Sequence, residues 1–188
     1  PWFPELELVR GVVVTHAHLD HIGGLLRLYG ELGFDGPWYA PPANERIAAL
    51  VLRDAVTVSA SRTDSPYTEK TVARIMEHFE PIRPGETKSL GSGLDFTFFD
   101  AGHVSGSVQV LVRAGDTRLW YTGDFNPAPT LSVDVLQLPP KDVLESIDTL
   151  VVEGTNAFRN ETITDADKAP QQLIDALTEL LPGPALVP

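Results

Sequence analysis

The stretch THAHLDH, residues 15–21, sets His16, His18, Asp20 and His21 within six residues, directly after the apolar run LVRGVVV at 8–14. Imidazole nitrogen and carboxylate oxygen both bind zinc at about 2.0–2.2 Å, and alternating side chains leaving a strand end can offer two donors to each of two neighbouring ions. A lone histidine is most often a surface residue or a satisfied core residue. Three of the chain's five histidines in one such span is a ligand set. The chain has no cysteine, so disulfides and thiolate sites are excluded and any transition-metal site must be built from His, Asp and Glu.

Two further strand ends finish in the same way. LDFTFFDAG at 94–102 runs into His103 within AGHVSGS, where glycines let the backbone approach a site closely. RLWYTGD at 118–124 ends on Asp124. Strand ends converge on one edge of a sheet, so His16 to His21, His103 and Asp124 can share one rim, with Asp124 bridging two cations. The remaining histidine, His78, lies in RIMEHFEP and reads as structural or solvent-facing. Asp95, Asp100, Asp116 and Asp134 have no ligand cluster around them, and Asp100 reads as a strand-end residue.

The 188 residues, 43% of them hydrophobic, suit one domain or one domain with a piece of another. The formal net charge of -12 argues against a broadly basic nucleic-acid surface. It leaves room for local recognition, since two divalent ions would add about four positive charges at one spot. No run of about 18 uncharged apolar residues and no signal-peptide pattern occurs, so a cytoplasmic protein without a membrane partner is expected. The periodicity predicts a strand over 8–16, a helix over 22–32, a short strand at 37–40 and a helix over 43–56 with Asn44 as N-cap. A further helix is expected from about 66, with Pro66 near N1 and Val72, Ile75, Met76 and Phe79 on one face. Strands follow at 94–102, 107–115, 118–124 and 149–154, then an amphipathic helix over 165–181.

HAHLDH resembles the HxHxDH motif of the metallo-β-lactamase superfamily, with His103 on its next histidine motif and Asp124 on its bridging aspartate. VVEGT at 151–155 resembles the acidic motif that opens the β-CASP branch. YTGDF at 121–125, AGHVSGS at 101–107 and SPYTEKTVARIMEHFEPIRPGE at 65–86 also look like that branch. It includes the pre-mRNA cleavage endonuclease, ribonuclease J and the cross-link repair DNA nucleases. The resemblance covers nearly the whole chain and implies an α/β protein, an αββα sandwich, with the beginning of a β-CASP cap domain. It implies a first metal on His16, His18 and His103, a second on Asp20 and His21, and Asp124 touching both. The family's upstream aspartate strand has no counterpart here, and its last ligand histidine and general-acid histidine lie beyond the cap insertion. The chain is therefore expected to be a fragment, with residues 1–158 a metallo-β-lactamase core lacking its N-terminal strands and 159–188 the start of a truncated β-CASP domain.

The function implied is a zinc-dependent phosphodiesterase in RNA processing or degradation. Its nucleophile would be a hydroxide bridging two zinc ions, oriented or deprotonated by Asp20. Glu153 would hold the general-acid histidine. RNA is the expected partner, with single-stranded DNA as the alternative polymer and homo-oligomerisation left open. The competing readings are a small-molecule hydrolase of the same fold, such as a glyoxalase II-like thioesterase or a lactonase, and a non-catalytic β-CASP scaffold. A small-molecule enzyme should finish its sheet promptly after Glu153, and a scaffold should show degenerated ligands.

Overall fold

A computed structural model describes residues 6–62, 65–130 and 132–155, together with the isolated positions 157, 171 and 175. The chain divides into two compact units, 1–153 and 154–188. Only isolated residues of the second are described beyond Thr155, so the expected helix over 165–181 and the cap it would open lie outside the described residues, apart from Gln171 and Asp175.

In the first unit, β1 (Val12–Val13), β2 (Trp38–Ala40) and β3 (Phe79–Pro81) form a parallel sheet in that order. A second sheet takes β4 (Thr87–Gly91), β5 (Leu94–Asp100), β6 (Val108–Ala114), β7 (Thr117–Tyr121) and β8 (Thr149–Val151) in chain order. It is antiparallel except for the parallel pair β7–β8. Between the strands lie α1 (Leu19–Ile22), α2 (Gly24–Gly30), α3 (Asn44–Arg62), α4 (Glu69–Glu77) and α5 (Lys141–Leu144).

The period of two along the first sheet sorts its residues between two cores. Trp38 and Ala40 pack among Ile22, Leu25, Leu52, Val72 and Ile75 from the helices, whereas Tyr39 packs with Phe96, Phe98, Val108 and Val110 of the second sheet. Val12 and Val14 go with the first core and Val13 with the second, by the same alternation. The parallel sheet is thus a middle layer, with helices on one side and the larger sheet on the other. That order supplies three of the four layers of the expected αββα sandwich. The indole Nε1–H of the fully buried Trp38 donates to the Ile75 carbonyl at 2.7 Å, so the largest core side chain leaves no polar group unsatisfied. No helix among the described residues is long and apolar enough to cross a membrane.

Several expected boundaries move. The first strand shrinks to Val12–Val13, after a 3-10 turn at Leu6–Leu8, where its sheet partner among the described residues is β2. The expected 22–32 helix begins at Leu19 and breaks at Gly23 into α1 and α2. Asn44 is the first residue of α3 rather than a side-chain cap: its Nδ2 donates to the Pro41 and Gly106 carbonyls, and its buried Oδ1 has no partner among the described residues. The α4 cap is Thr68, not the turn at Pro66, and its backbone N–H donates to Thr71 Oγ1 at 3.2 Å. Val72 and Ile75 are buried as expected, and Met76 packs beside them. Phe79 packs there too, but as the first residue of β3.

Candidate metal centre

Strand direction explains why the polar residues meet. In an antiparallel succession β5 and β7 run the same way, and β8 is parallel to β7, so the residues following these three strands leave one edge of the sheet. They are His103, Asp124 and Glu153. The end of β1 is drawn to the same edge, because the Val108 N–H at the start of β6 donates to the Thr15 carbonyl at 2.8 Å.

His16 follows as a fully buried residue. His18 is extended (φ -71°, ψ 149°), and the chain turns helical at Leu19. Asp20 and His21 accordingly sit in the first turn of a helix rather than in an open turn, where the Asp20 charge is favourable near the helix N-terminus. His103 lies between Gly102 and Gly106, both at positive φ (69° and 78°). Its N–H and that of Val104 both donate to Ser107 Oγ at 3.1 Å. Gly102 admits no side chain, since a Cβ would lie 2.6 Å from the Asn126 carbonyl oxygen. Gly123, at φ 55°, turns the chain after β7 and delivers Asp124.

The donor atoms form two groups that share Asp124. His16 Nε2 is 3.0 Å from His18 Nδ1, and His18 Nδ1 is 3.4 Å from His103 Nε2. Asp124 Oδ2 lies 3.9 Å from His16 Nε2 and 3.7 Å from His103 Nε2. All four ligand atoms fall within 4.8 Å of one another. Donors held tetrahedrally at zinc–nitrogen distances stand about 3.3 Å apart, so this spacing fits one ion. The other oxygen of the same carboxylate, Oδ1, is 3.5 Å from His21 Nε2, which is itself 3.5 Å from Asp20 Oδ2. That second group has three donors and opens to solvent, the Asp20 side chain being 79% exposed.

Electrostatics favour an electron-pair donor at the buried end. Burial pushes the His16 pKa down to about 3, with the neighbouring His21, His18 and His103 adding to the shift and Asp20 opposing it. His16 is therefore a neutral imidazole at any ordinary pH, the form a metal takes. No thiolate competes, and the set of imidazoles and carboxylates suits a divalent metal ion.

Glu153 is half-buried just past β8, and its N–H donates to Thr122 Oγ1 at 3.3 Å. His78 spans the Arg74 carbonyl and the Asp35 carboxylate, a structural role as expected. Asp95 pairs with Arg113. Asp100 lines a cavity of about 220 Å³ with Asp134, and burial and that neighbour push its pKa up. Sequence reasoning passed over Thr15, Ser107 and Thr122 and read Asn44 only as a helix cap, although these small polar residues hold the rim together. Their signal was a hydroxyl or amide at a strand or helix end next to a ligand candidate, where an apolar residue would pack as well.

A family model described as a beta-lactamase superfamily domain matches residues 3–187. Transcription termination factor FttA of Pyrococcus abyssi is 28% identical over 186 residues, which is 96% of this chain and 28% of that protein. The factor of the same name from Methanocaldococcus jannaschii is 30% identical over 190 residues, 97% of this chain and 29% of its own length. Ribonuclease TTHA0252 of Thermus thermophilus is 36% identical over 152 residues, 80% of this chain and 33% of that enzyme. The chain thus spans about a third or less of the length of these relatives. By sequence kinship as well as by the layering of its sheets, the chain belongs to the metallo-β-lactamase superfamily, in its β-CASP branch.

Proposed function

We propose that this chain carries the metal-binding core of a zinc-dependent phosphodiesterase that acts on RNA in the cytoplasm. The observation that carries the reading is the division of Asp124, one oxygen turned toward His16 and His103 and the other toward His21. A carboxylate shared in this way matches a two-metal site, whose ions stand about 3.5–4 Å apart. His16, His18, His103 and Asp124 Oδ2 would hold the first zinc, and Asp20, His21 and Asp124 Oδ1 the second.

Zinc bound there would neutralise phosphodiester charge and lower the pKa of a water to about 7. The chain's own groups do the rest. His16, buried and neutral, offers an electron pair without a competing proton. Asp124 fixes the spacing between the two groups. Asp20, at the exposed end, orients the attacking water and accepts its proton. Glu153 leaves the same sheet edge one strand further on, where it would orient a general acid supplied from another part of the full protein. Because the chain is strongly acidic, attraction for RNA at this edge would come from the two cations and not from a basic surface.

RNA is favoured over a small ester by the relatives, named as transcription termination factors and a ribonuclease. The test is cleavage of end-labelled single-stranded RNA by the full-length protein with zinc, with His103→Ala as control. Cleavage that disappears in the variant is expected, and intact RNA in the presence of protein holding two zinc ions would overturn the substrate.

A further inference from the structure

Thr15 is buried at the junction of the three segments that carry the donor atoms. Its hydroxyl oxygen is 3.2 Å from His16 Nδ1. Its carbonyl accepts the Val108 N–H, which ties the end of β1 to the strand that follows the His103 loop. Its Cβ, Cγ2 and Oγ1 face Gly123, the residue before Asp124, where an added Cβ would stand 2.9–3.1 Å away from them. Packing alone gives no reason for a hydroxyl here, since valine has the same shape.

The reason lies in the His16 ring. Its Nε2 faces His18 Nδ1 and Asp124 Oδ2, so that nitrogen must present its electron pair to an ion, and the single proton of the neutral imidazole belongs on Nδ1. The group facing Nδ1 is Thr15 Oγ1, which can accept that proton's hydrogen bond. We infer that Thr15 is a positioning residue of the metal centre: its hydroxyl holds His16 in the Nδ1–H tautomer and fixes the ring plane. This rests on the metal reading above.

Two near-isosteric variants of the full chain separate the hydroxyl from the methyl. Thr15→Val keeps the contact on Gly123 and removes the acceptor. Thr15→Ser keeps the acceptor and removes only the methyl. Zinc affinity is read by competition with a chromophoric chelator, and the His16 tautomer by long-range proton–nitrogen NMR correlation. Thr15→Val is expected to weaken zinc binding by about 10- to 100-fold, the usual effect of losing a hydrogen-bond partner behind a ligand. Thr15→Ser is expected to bind close to wild type. Equal affinity of the valine variant and wild type, or a serine variant as weak as the valine one, overturns the inference. Should the valine variant fail to fold, the wild-type spectrum decides: a proton on Nδ1 sustains the role of Thr15 and a proton on Nε2 refutes it. Wild-type protein that takes up no zinc fails the metal reading instead, and the tautomer of its metal-free His16 still decides the question for Thr15.

Discussion

Gly123→Ala tests whether the rim is built as tightly as the geometry requires. Gly123 has φ 55°, and the left-handed region costs a residue with a Cβ about 1–2 kcal/mol. The new methyl would also lie 2.9 Å from Thr15 Cβ, a branched carbon one bond from the backbone that has no rotamer to escape into. Carbon atoms settle at about 3.5–4.0 Å, so one of the two loops must move by about 0.6–1.1 Å. Overpacking of this kind costs about 1–3 kcal/mol, which brings the expected loss to about 2–5 kcal/mol in metal-free protein. The loop that moves carries either His16 or Asp124, so zinc affinity should fall as well. Urea unfolding of the metal-free protein measures the first effect through its midpoint, and zinc competition measures the second. A variant with an unchanged midpoint and unchanged zinc affinity would refute the close packing of Thr15 on Gly123.

Trp38→Phe removes the indole N–H from the Ile75 carbonyl, which keeps the His78 N–H as a donor at 3.2 Å, so the lost hydrogen bond is expected to cost about 0.5–1.5 kcal/mol in chemical unfolding, with the fold retained. Asp100→Asn should stabilise the protein at neutral pH. The Asp100 pKa is raised in the fold, so its favourable contribution is complete below the unfolded value of 3.8 and is lost as the pH rises through the folded value. The gain from Asn should therefore shrink toward zero in unfolding curves taken below about pH 3.8. Zinc added in excess should raise the melting temperature of the wild-type protein and raise it far less for His103→Ala, since only a ligand that prefers the native state stabilises it.

The densest signals were the most legible. A ligand-rich span after an apolar run, and single polar residues ending two later strands, are local features, and the antiparallel succession of β5 to β7 is enough to bring their ends to one edge. Features set by tertiary contact were harder to read. β4 is a polar edge strand, TKSLG, whose identity comes from pairing with β5 and not from its own pattern. Phe79 continued the apolar stripe of α4, yet the Trp38 N–H donates to the His78 carbonyl and Phe79 pairs with Trp38, so the chain leaves the helix there to extend the parallel sheet. The helical start at Leu19 was masked by the ligand pattern itself, because His-Leu-Asp-His reads equally well as a turn. The hydroxyls of Thr15, Ser107 and Thr122 carry no periodicity, and only the fold shows what each one touches.

The most direct test of the metal centre is diffraction from zinc-loaded crystals of the full-length protein at the zinc absorption edge. Two anomalous peaks about 3.5–4 Å apart, one on each side of Asp124, are the predicted result, with the first about 2.0–2.1 Å from the His16, His18 and His103 nitrogens. A single peak that engages only one oxygen of Asp124, or peaks at sites that leave His16 and His103 uncoordinated, would contradict the account.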